Sequence, residues 1–189
     1  MIKINEKLEK EVEVNGKIYE IDLSFDNVIN LLELLKNPGI GDGEKVYLGL
    51  YLLLGTELEF EPDQQVIVFE ALIKNFIHET EDQEAQVDLA GNVMPIAAKP
   101  QSYDLIHDSS YIYTSFRQAY QMNLYNEQGK LDWREFKALL QDLPDETKFK
   151  QVVDIRTRPY PKGKGMGEER QKLKELKRTF ALPGTQVDD

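Results

Sequence analysis

The sequence predicts a mainly α protein, a helical bundle-like domain with a short N-terminal β-hairpin. Two patterns indicate this class. Apolar and charged residues alternate around an early Asn-Gly pair, and later apolar residues recur at spacings of three and four. The composition is that of a globular chain, with 41% hydrophobic and 30% charged residues among 189. Such a chain is long and apolar enough to bury a sizeable core.

The hairpin is predicted at residues 15–16, where Asn-Gly favours the two-residue turns that join antiparallel strands. Such a turn pairs Val14 with Lys17 and Val12 with Tyr19. One face then becomes apolar, and the other carries acidic residues and Ile18. An isolated hairpin is marginally stable in water, so we expect this one to pack on helices. The apolar face consists of Val12, Val14, Tyr19, Ile21 and Leu23.

Helices are predicted after the hairpin from apolar spacing and end signals. Asp26 is a candidate N-cap for the first of them. Residues 46–54 are apolar nearly all round, which is typical of a helix at the centre of a bundle. Pro62 lies near the start of the next helix, where proline is tolerated.

Composition divides the chain into four predicted parts. Residues 1–78 form the hairpin with its helices, and residues 79–101 form an acidic, Pro- and Gly-bearing linker or long loop. Residues 102–158 form a C-terminal helical unit. Residues 159–189 form a flexible basic tail that includes a candidate helix, because prolines and glycines precede a run with helical spacing.

Residues 123–140, NLYNEQGKLDWREFKALL, look like half of an EF-hand calcium loop around Gly129. The first, third and fifth positions of that loop carry no carboxylate, and calcium needs six to eight oxygen ligands. We therefore expect no calcium site here. Asp132 and Glu135 instead have the spacing of a capping box, and Trp133 begins the apolar face of a helix.

The sequence offers no motif for catalysis, a cofactor or a metal. It has no cysteine, and its two histidines, His78 and His107, have no second histidine at metal-ligand spacing. The glycine-rich residues 39–45 lack the Gly-Lys-Ser/Thr ending of a phosphate-binding loop. We expect a non-enzymatic protein that binds neither a cofactor nor a metal.

The charge is strongly uneven along the chain. The formal net charge is −11, but residues 148–178 contain eleven Lys or Arg against four Asp or Glu, a local +7 that leaves −18 elsewhere. An acidic body disfavours nucleic acid as a partner. The basic tail is then a docking segment or a mobile end more readily than a nucleic-acid arm. Residues 46–55, the most apolar run, are about half as long as a membrane span, so no membrane partner is expected.

An aromatic helix is predicted around residues 111–120, and it has two interpretations. Its tyrosines belong to the core with one exposed flank, or they form a protein-binding face, because tyrosine often anchors interfaces. The basic tail supplies further candidates for partner contact. Together the candidate partner-binding residues are Tyr111, Tyr113, Tyr120, Arg156, Arg158, Lys172 and Lys174.

Residues 111–156 resemble the signature region of the bacteriophage gene-product-fifteen family, small proteins from the tail modules of long-tailed phages and prophages of Gram-positive bacteria. The resemblance rests on the Tyr/Phe helix followed by GKLDWREFKALL, LPDETKF and an Ile-Arg ending. It extends more weakly through KVYLGLYLLLG and RTFALP. Arg134 departs from the family, whose members often have a second aromatic residue beside the position of Trp133.

The resemblance implies a tail-assembly chaperone. Such a protein binds the tape-measure protein, keeps it soluble and helps to recruit tail-tube protein, and it can form a homo-oligomer. It acts in the cytoplasm of the bacterial host and is absent from the mature virion. The alternative is a structural tail or head-tail joining protein that is retained in the virion.

Overall fold

The computed structural model describes residues 4–57, 59–77, 102–163 and 165–185. These ranges contain seven α-helices and one two-stranded antiparallel sheet, which confirms the mainly α class with its N-terminal hairpin. The chain divides into two compact units. Unit 1 comprises Met1–Ala98 and Glu127–Ala138, and unit 2 comprises Lys99–Asn126 and Leu139–Asp189. The linker predicted at 79–101 and the histidine His78 lie outside the described residues.

The helices and strands follow one another with short connections. A π-helical turn, Ile73–Ile77, continues the third helix, and a 3-10 turn, Leu124–Asn126, precedes the fifth. In chain order the elements are β1 (Glu11–Val14), β2 (Lys17–Glu20), α1 (Phe25–Lys36), α2 (Asp42–Leu54), α3 (Pro62–Leu72), α4 (Ser109–Tyr120), α5 (Trp133–Gln141), α6 (Lys148–Thr157) and α7 (Gly167–Thr179).

The hairpin has the predicted register. Val14 pairs with Lys17 and Val12 with Tyr19. The turn residues at 15–16 both have positive φ, 50° and 79°, as the mirror-image turns of hairpins require. Apolar residues of the predicted inner face are buried at three positions, Val14, Ile21 and Leu23. Ile18 lies on the other face and is 66% exposed.

The first helix begins at Phe25, two residues earlier than the sequence indicated. The prediction of Asp26 as its N-cap is wrong, because Ser24 is the N-cap and Asp26 lies in the first turn of α1. An Asp26 carboxylate oxygen accepts a hydrogen bond from the backbone N–H of Gly129 at 2.9 Å. A first-turn carboxylate also interacts favourably with the positive end of the helix dipole. The residue therefore serves both α1 and the turn before α5.

Helix α2 is buried along one side only. Gly49, Leu50, Leu53 and Leu54 are buried, as expected for a central helix, but Tyr47 and Tyr51 are 39% and 50% exposed. The expectation of a helix surrounded by the bundle is therefore wrong for one face. Periodicity did not reveal this face because the run is apolar at almost every position.

The loop before α5 pairs with the segment before α1 through backbone hydrogen bonds. The Phe25 N–H donates to the Leu131 carbonyl at 2.9 Å, and the Trp133 N–H donates to the Leu23 carbonyl at 2.7 Å. The Phe136 ring stacks on that of Phe25 with centroids 5.0 Å apart. These contacts assign residues 127–138 to unit 1, whereas sequence composition had placed them within a continuous C-terminal unit.

The capping box predicted at the start of α5 is confirmed. An Asp132 carboxylate oxygen accepts a hydrogen bond from the Arg134 backbone N–H at 2.9 Å. In return, the Asp132 backbone N–H donates to the Glu135 carboxylate at 3.3 Å. The two carboxylates thereby satisfy backbone donors that the first turn of a helix leaves without intrahelical partners.

Unit 2 is built from α4, α6 and α7. Its buried residues include Ile112 and Phe116 of α4 and Phe149 and Val152 of α6. The helix proposed within the basic tail is present as α7, and Leu173 buries its side chain. The described part of the tail is therefore packed at α7 rather than loose along its whole length. Lys164 and residues 186–189 lie outside the description.

A substitution at Trp133 tests the aromatic cluster of unit 1, which consists of Phe25, Trp133 and Phe136. Its side chain is 5% exposed, stacks on Phe136 and donates its indole N–H to the Ile77 carbonyl at 3.3 Å. We expect Trp133→Ala to lower the free energy of unfolding by about 3–5 kcal/mol, as large-to-small core changes do. Tyr125→Ala is the control, since Tyr125 is 69% exposed. Urea titration followed by circular dichroism measures both, and equal small losses would contradict the assigned burial.

Two glycines of α2 form a matched pair. A Cβ at Gly49 would lie 2.5 Å from Phe69 Cε2 and 3.0 Å from Leu31 Cδ1, whereas a Cβ at Gly43 meets nothing within 4 Å. We expect Gly49→Ala to destabilise by about 1–3 kcal/mol through overpacking. Gly43→Ala is expected to be neutral or to stabilise by up to about 1 kcal/mol, because alanine restricts the unfolded chain. Thermal melts of both variants test the close packing of α2 on Phe69.

Candidate protein-binding surfaces

The tyrosines of α4 combine core and surface roles. Tyr111 is half-buried and meets the Phe180 ring edge-on, with centroids 6.3 Å apart. Tyr113 is also half-buried, and its ring lies 5.2 Å from that of Tyr125. The core face of the helix is formed by Ile112 and by Phe116, which is fully buried. The tyrosines therefore lie at the margin of the core, and a protein-binding role for them stays a prediction.

Tyr120 ends α4 and is tied into unit 2. Its hydroxyl donates a hydrogen bond to the Leu139 carbonyl at 2.9 Å, and its ring meets Phe116 edge-on at 5.6 Å. Burial, and secondarily the charge of Asp142, raises the pKa of Tyr120 above its ordinary value. The phenol therefore stays protonated and remains a donor in neutral solution.

Arg156 lies inside unit 2, although the sequence marked it as a partner contact. Its side chain is 8% exposed and makes a two-pronged pair with Asp108, at 2.6 and 2.7 Å. Its guanidinium also donates to the carbonyls of Ser102 and Phe180, at 3.2 and 2.6 Å. A buried arginine with this many partners organises its own unit, and the prediction of partner contact at Arg156 stays a prediction.

The remaining basic candidates lie at the surface. Arg158 forms an ion pair with Asp154 one helical turn earlier, and both side chains are at least half exposed. Lys172 is exposed and Lys174 half-buried on α7. The structure thus brings Tyr111 and Arg156 together at Phe180. The Tyr111 ring meets the Phe180 ring edge-on, and the Arg156 guanidinium donates a hydrogen bond to the Phe180 carbonyl. Tyr113 contacts Tyr125 instead.

Unit 1 has exposed apolar side chains that the sequence analysis missed. Tyr47 and Tyr51 lie one turn apart on α2, and Val66 and Ile67 on α3 are 38% and 67% exposed. The four-residue spacing of the two tyrosines was a visible signal, because it places both on one helix face. Exposed tyrosine and isoleucine side chains are typical of surfaces that contact other proteins.

Acidic residues accompany these apolar side chains. The Tyr47 hydroxyl donates to the Glu57 carboxylate at 2.7 Å, and this hydrogen bond is the main reason that the pKa of Tyr47 is raised. By sequence, unit 1 contains ten Lys or Arg and 23 Asp or Glu, a net −13. Unit 2 contains thirteen and eleven, a net +2, so the excess acidity belongs to unit 1.

A shallow open groove of about 280 Å³ also lies in unit 1. It is lined by Leu35 of α1 and by four residues of α3 and the following π-helical turn: Phe69, Glu70, Ile73 and Lys74. Its walls are mainly apolar, and one acidic and one basic residue contribute to its lining. Its volume is slightly below the range of about 300–1,000 Å³ that is typical of pockets for small ligands.

Neither a metal-ligand cluster nor a helix able to cross a bilayer is found among the residues that the structure describes. Among the described residues, no three His, Cys, Asp or Glu side chains group as metal ligands. Likewise, none of the helices within those ranges has both the length and the apolar character to cross a bilayer.

Substitutions of Arg156 and Arg158 compare how much a buried and an exposed ion pair contribute to the stability of unit 2. We expect Arg156→Ala to destabilise by about 3–5 kcal/mol, because it leaves the fully buried Asp108 carboxylate without its cation. Arg158→Ala removes an exposed pair and is expected to cost less than about 1 kcal/mol. Chemical denaturation of the two variants, followed by circular dichroism, measures the difference. Similar losses in both would contradict a buried structural role for Arg156.

Comparison with known proteins adds one finding. The family described as Bacteriophage Gp15 protein matches residues 4–182, nearly the whole chain. No curated protein and no solved structure matches the sequence. The match includes the hairpin, every described helix and the surfaces of both units. The chain therefore belongs to the bacteriophage Gp15 family.

Proposed function

We propose that this protein is a tail-assembly chaperone that binds the tape-measure protein, keeps it soluble and helps to recruit tail-tube protein. Membership in the bacteriophage Gp15 family supports a phage structural or assembly role. The observation that carries the chaperone proposal is the exposure of apolar side chains on two consecutive helices of the strongly acidic unit 1: Tyr47 and Tyr51 on α2, and Val66 and Ile67 on α3. We call these four residues the α2–α3 surface.

The chemistry of this surface suits apolar helical segments. An amphipathic helix can place apolar side chains against exposed tyrosines and isoleucines, with anchors recurring every three or four residues. The acidic charge of unit 1 favours segments flanked by basic residues and speeds their encounter. Net negative charge also keeps a protein with exposed apolar side chains from associating without specificity. A chaperone of a long, aggregation-prone chain needs both exposed apolar side chains and a net charge that keeps it soluble.

The rest of the proposal follows from the same role. The protein acts without catalysis and without a cofactor, in the cytoplasm of the bacterial host, and leaves before the virion is complete. Its partners are other assembly proteins and, in a homo-oligomer, further copies of itself. Nucleic acid and membranes are not among them, in keeping with the net charge of −11.

A second candidate is a structural tail or head-tail joining protein that stays in the particle. The hairpin favours it. Strands β1 and β2 form a sheet of two strands, so each strand has an outer edge with backbone groups that a neighbouring chain can pair with. Mass spectrometry of purified particles separates the candidates. Stoichiometric presence supports the structural protein, and absence from complete particles supports the chaperone.

Co-expression with the tape-measure protein of the same phage tests the chaperone. We expect the wild-type protein to raise the soluble fraction of the tape-measure protein several-fold and to co-purify with it. The double variant Tyr51→Ser/Ile67→Ser is expected to lose most of this effect, because it removes two exposed apolar anchors. The readout is the soluble yield of tape-measure protein.

The control for this experiment is Ile18→Ser, which removes an apolar side chain of similar exposure, 66%, from the hairpin. It is expected to behave like the wild type. If the wild type neither raises tape-measure solubility nor co-purifies with it, the chaperone proposal fails. If the control loses activity as the double variant does, the loss is not specific to the α2–α3 surface, and its assignment as the binding site fails.

A further inference from the structure

Helix α7 packs on the rest of unit 2 through few apolar side chains. Of its thirteen residues, Leu173 alone is buried. Phe180 follows at half burial, and Leu182 is buried just beyond it. Leu173 and Phe180 are seven residues apart, which places them on one side of the helical path. Because burial of apolar surface is the main favourable term in packing, these three side chains carry most of the apolar attachment of α7.

Polar contacts direct α7 onto a surface made by the rest of unit 2. Arg156 Nε donates to the Phe180 carbonyl at 2.6 Å, and Lys177 Nζ donates to the Arg156 carbonyl at 3.0 Å. The Lys148 ammonium lies 4.6 Å from the centre of the Phe180 ring and 5.9 Å from that of Tyr111. We call Tyr111, Lys148, Arg156 and Tyr160 the α7-binding surface.

The Arg156 side chain of this surface is held mainly by residues outside α7. Arg156 keeps its two bonds to Asp108 and its bond to the Ser102 carbonyl, none of which involves α7. Asp108 belongs to the chain just before α4, so the guanidinium remains oriented by its own unit. Release of α7 removes two hydrogen bonds of Arg156, the one that its Nε donates to the Phe180 carbonyl and the one that its backbone carbonyl accepts from Lys177 Nζ. A surface that is preorganised in this way can accept a second ligand of the same kind.

The character of α7 defines that ligand. The guanidinium of Arg170 and the ammonium of Lys177 lie 5.5 and 4.9 Å from the Tyr160 ring, as cations over an aromatic face. The carbonyl of Phe180, the residue directly after α7, accepts a hydrogen bond from Arg156, which suits the negative end of a helix dipole. A fitting ligand is therefore a basic amphipathic helix with a leucine and, two turns later, an aromatic residue at its carboxyl end.

The connection to α7 permits its release. Residues 161–166 lie between Tyr160 of the α7-binding surface and α7, without regular secondary structure at the described positions. Gly163 and Gly165 have φ values of 131° and 91°, which glycine alone adopts readily. A short tether of this kind gives α7 an effective concentration on the order of millimolar at its own binding surface. A competing helix must overcome that concentration before it binds.

We propose that α7 is a displaceable strap that occupies a helix-binding surface of unit 2 until a partner's basic amphipathic helix replaces it. The partner can bind only to molecules in which α7 has left this surface. Its apparent affinity is therefore reduced in proportion to the ratio of molecules with α7 bound to molecules with α7 released. The inference goes beyond the proposed function, because it concerns unit 2 and does not require the tape-measure protein as the partner.

The test uses the full chain and a fluorescent peptide of residues 166–185, followed by fluorescence anisotropy. In the variant Phe180→Ala the tethered helix is weakened, while the peptide retains its own phenylalanine. We expect the peptide to bind this variant about tenfold more tightly than it binds the wild type, because the tethered competitor is weaker. The matched control, Gln171→Ala, changes an exposed neutral residue of α7 and is expected to bind the peptide as the wild type does.

A second peptide, with its own Phe180→Ala change, is expected to bind the variant chain at least about tenfold more weakly than the first peptide, if the aromatic residue anchors the ligand. Should Phe180→Ala prevent folding, Lys177→Ala loosens the strap at its contacts with Arg156 and Tyr160 instead. Equal peptide affinity for wild type and loosened variant overturns the proposal, as does absence of binding to both. Wild-type dimers that the peptide separates would also overturn it, since a second copy's α7 would then be the natural occupant.

Discussion

Unit 1 depends on the pairing of residues 23–25 with residues 131–133. Two backbone hydrogen bonds, from Phe25 to Leu131 and from Trp133 to Leu23, join segments that are more than a hundred residues apart. The side chains that follow complete the contact, because Phe136 stacks between Phe25 and Trp133. The Asp26 carboxylate and the Gly129 amide add a third tie. Since α1 starts at this junction, the helices that pack on α1 are positioned by it.

Unit 2 has a corresponding centre at Arg156. One guanidinium connects the start of α4, through Asp108, with the chain after α7, through the Phe180 carbonyl. A buried cation is costly unless hydrogen bonds and a counter-charge replace its water, and here both are present. The Asp108 pair is internal to the framework, whereas the Phe180 contact belongs to α7. Because of this division, the pair of Arg156 with Asp108 can persist when a partner helix displaces α7, as we propose.

Charge and apolar exposure are arranged differently in the two units. Unit 1 is strongly acidic and exposes Tyr51 and Ile67 on adjacent helices of the chain. Unit 2 is nearly neutral, with its basic residues concentrated in α6 and α7. Two surfaces of unlike charge and apolar exposure select different classes of partner segment. The family match over residues 4–182 includes both units, so both surfaces lie within the family region.

Local patterns in the sequence determined the mainly α class, the register at Asn15-Gly16 and the capping box of Asp132 and Glu135. Each depends on neighbours within a few residues, where backbone geometry leaves few alternatives. Tertiary structure alone decided the placement of residues 127–138 in unit 1, the first-turn position of Asp26 and the burial of Arg156. Those outcomes depend on partners that are distant in the sequence. Asp26 bonds to Gly129, 103 residues away, and Arg156 pairs with Asp108, 48 residues away. It also decided which side of α2 is exposed, because a helix that is apolar all round has no periodic signal to show where its neighbours lie.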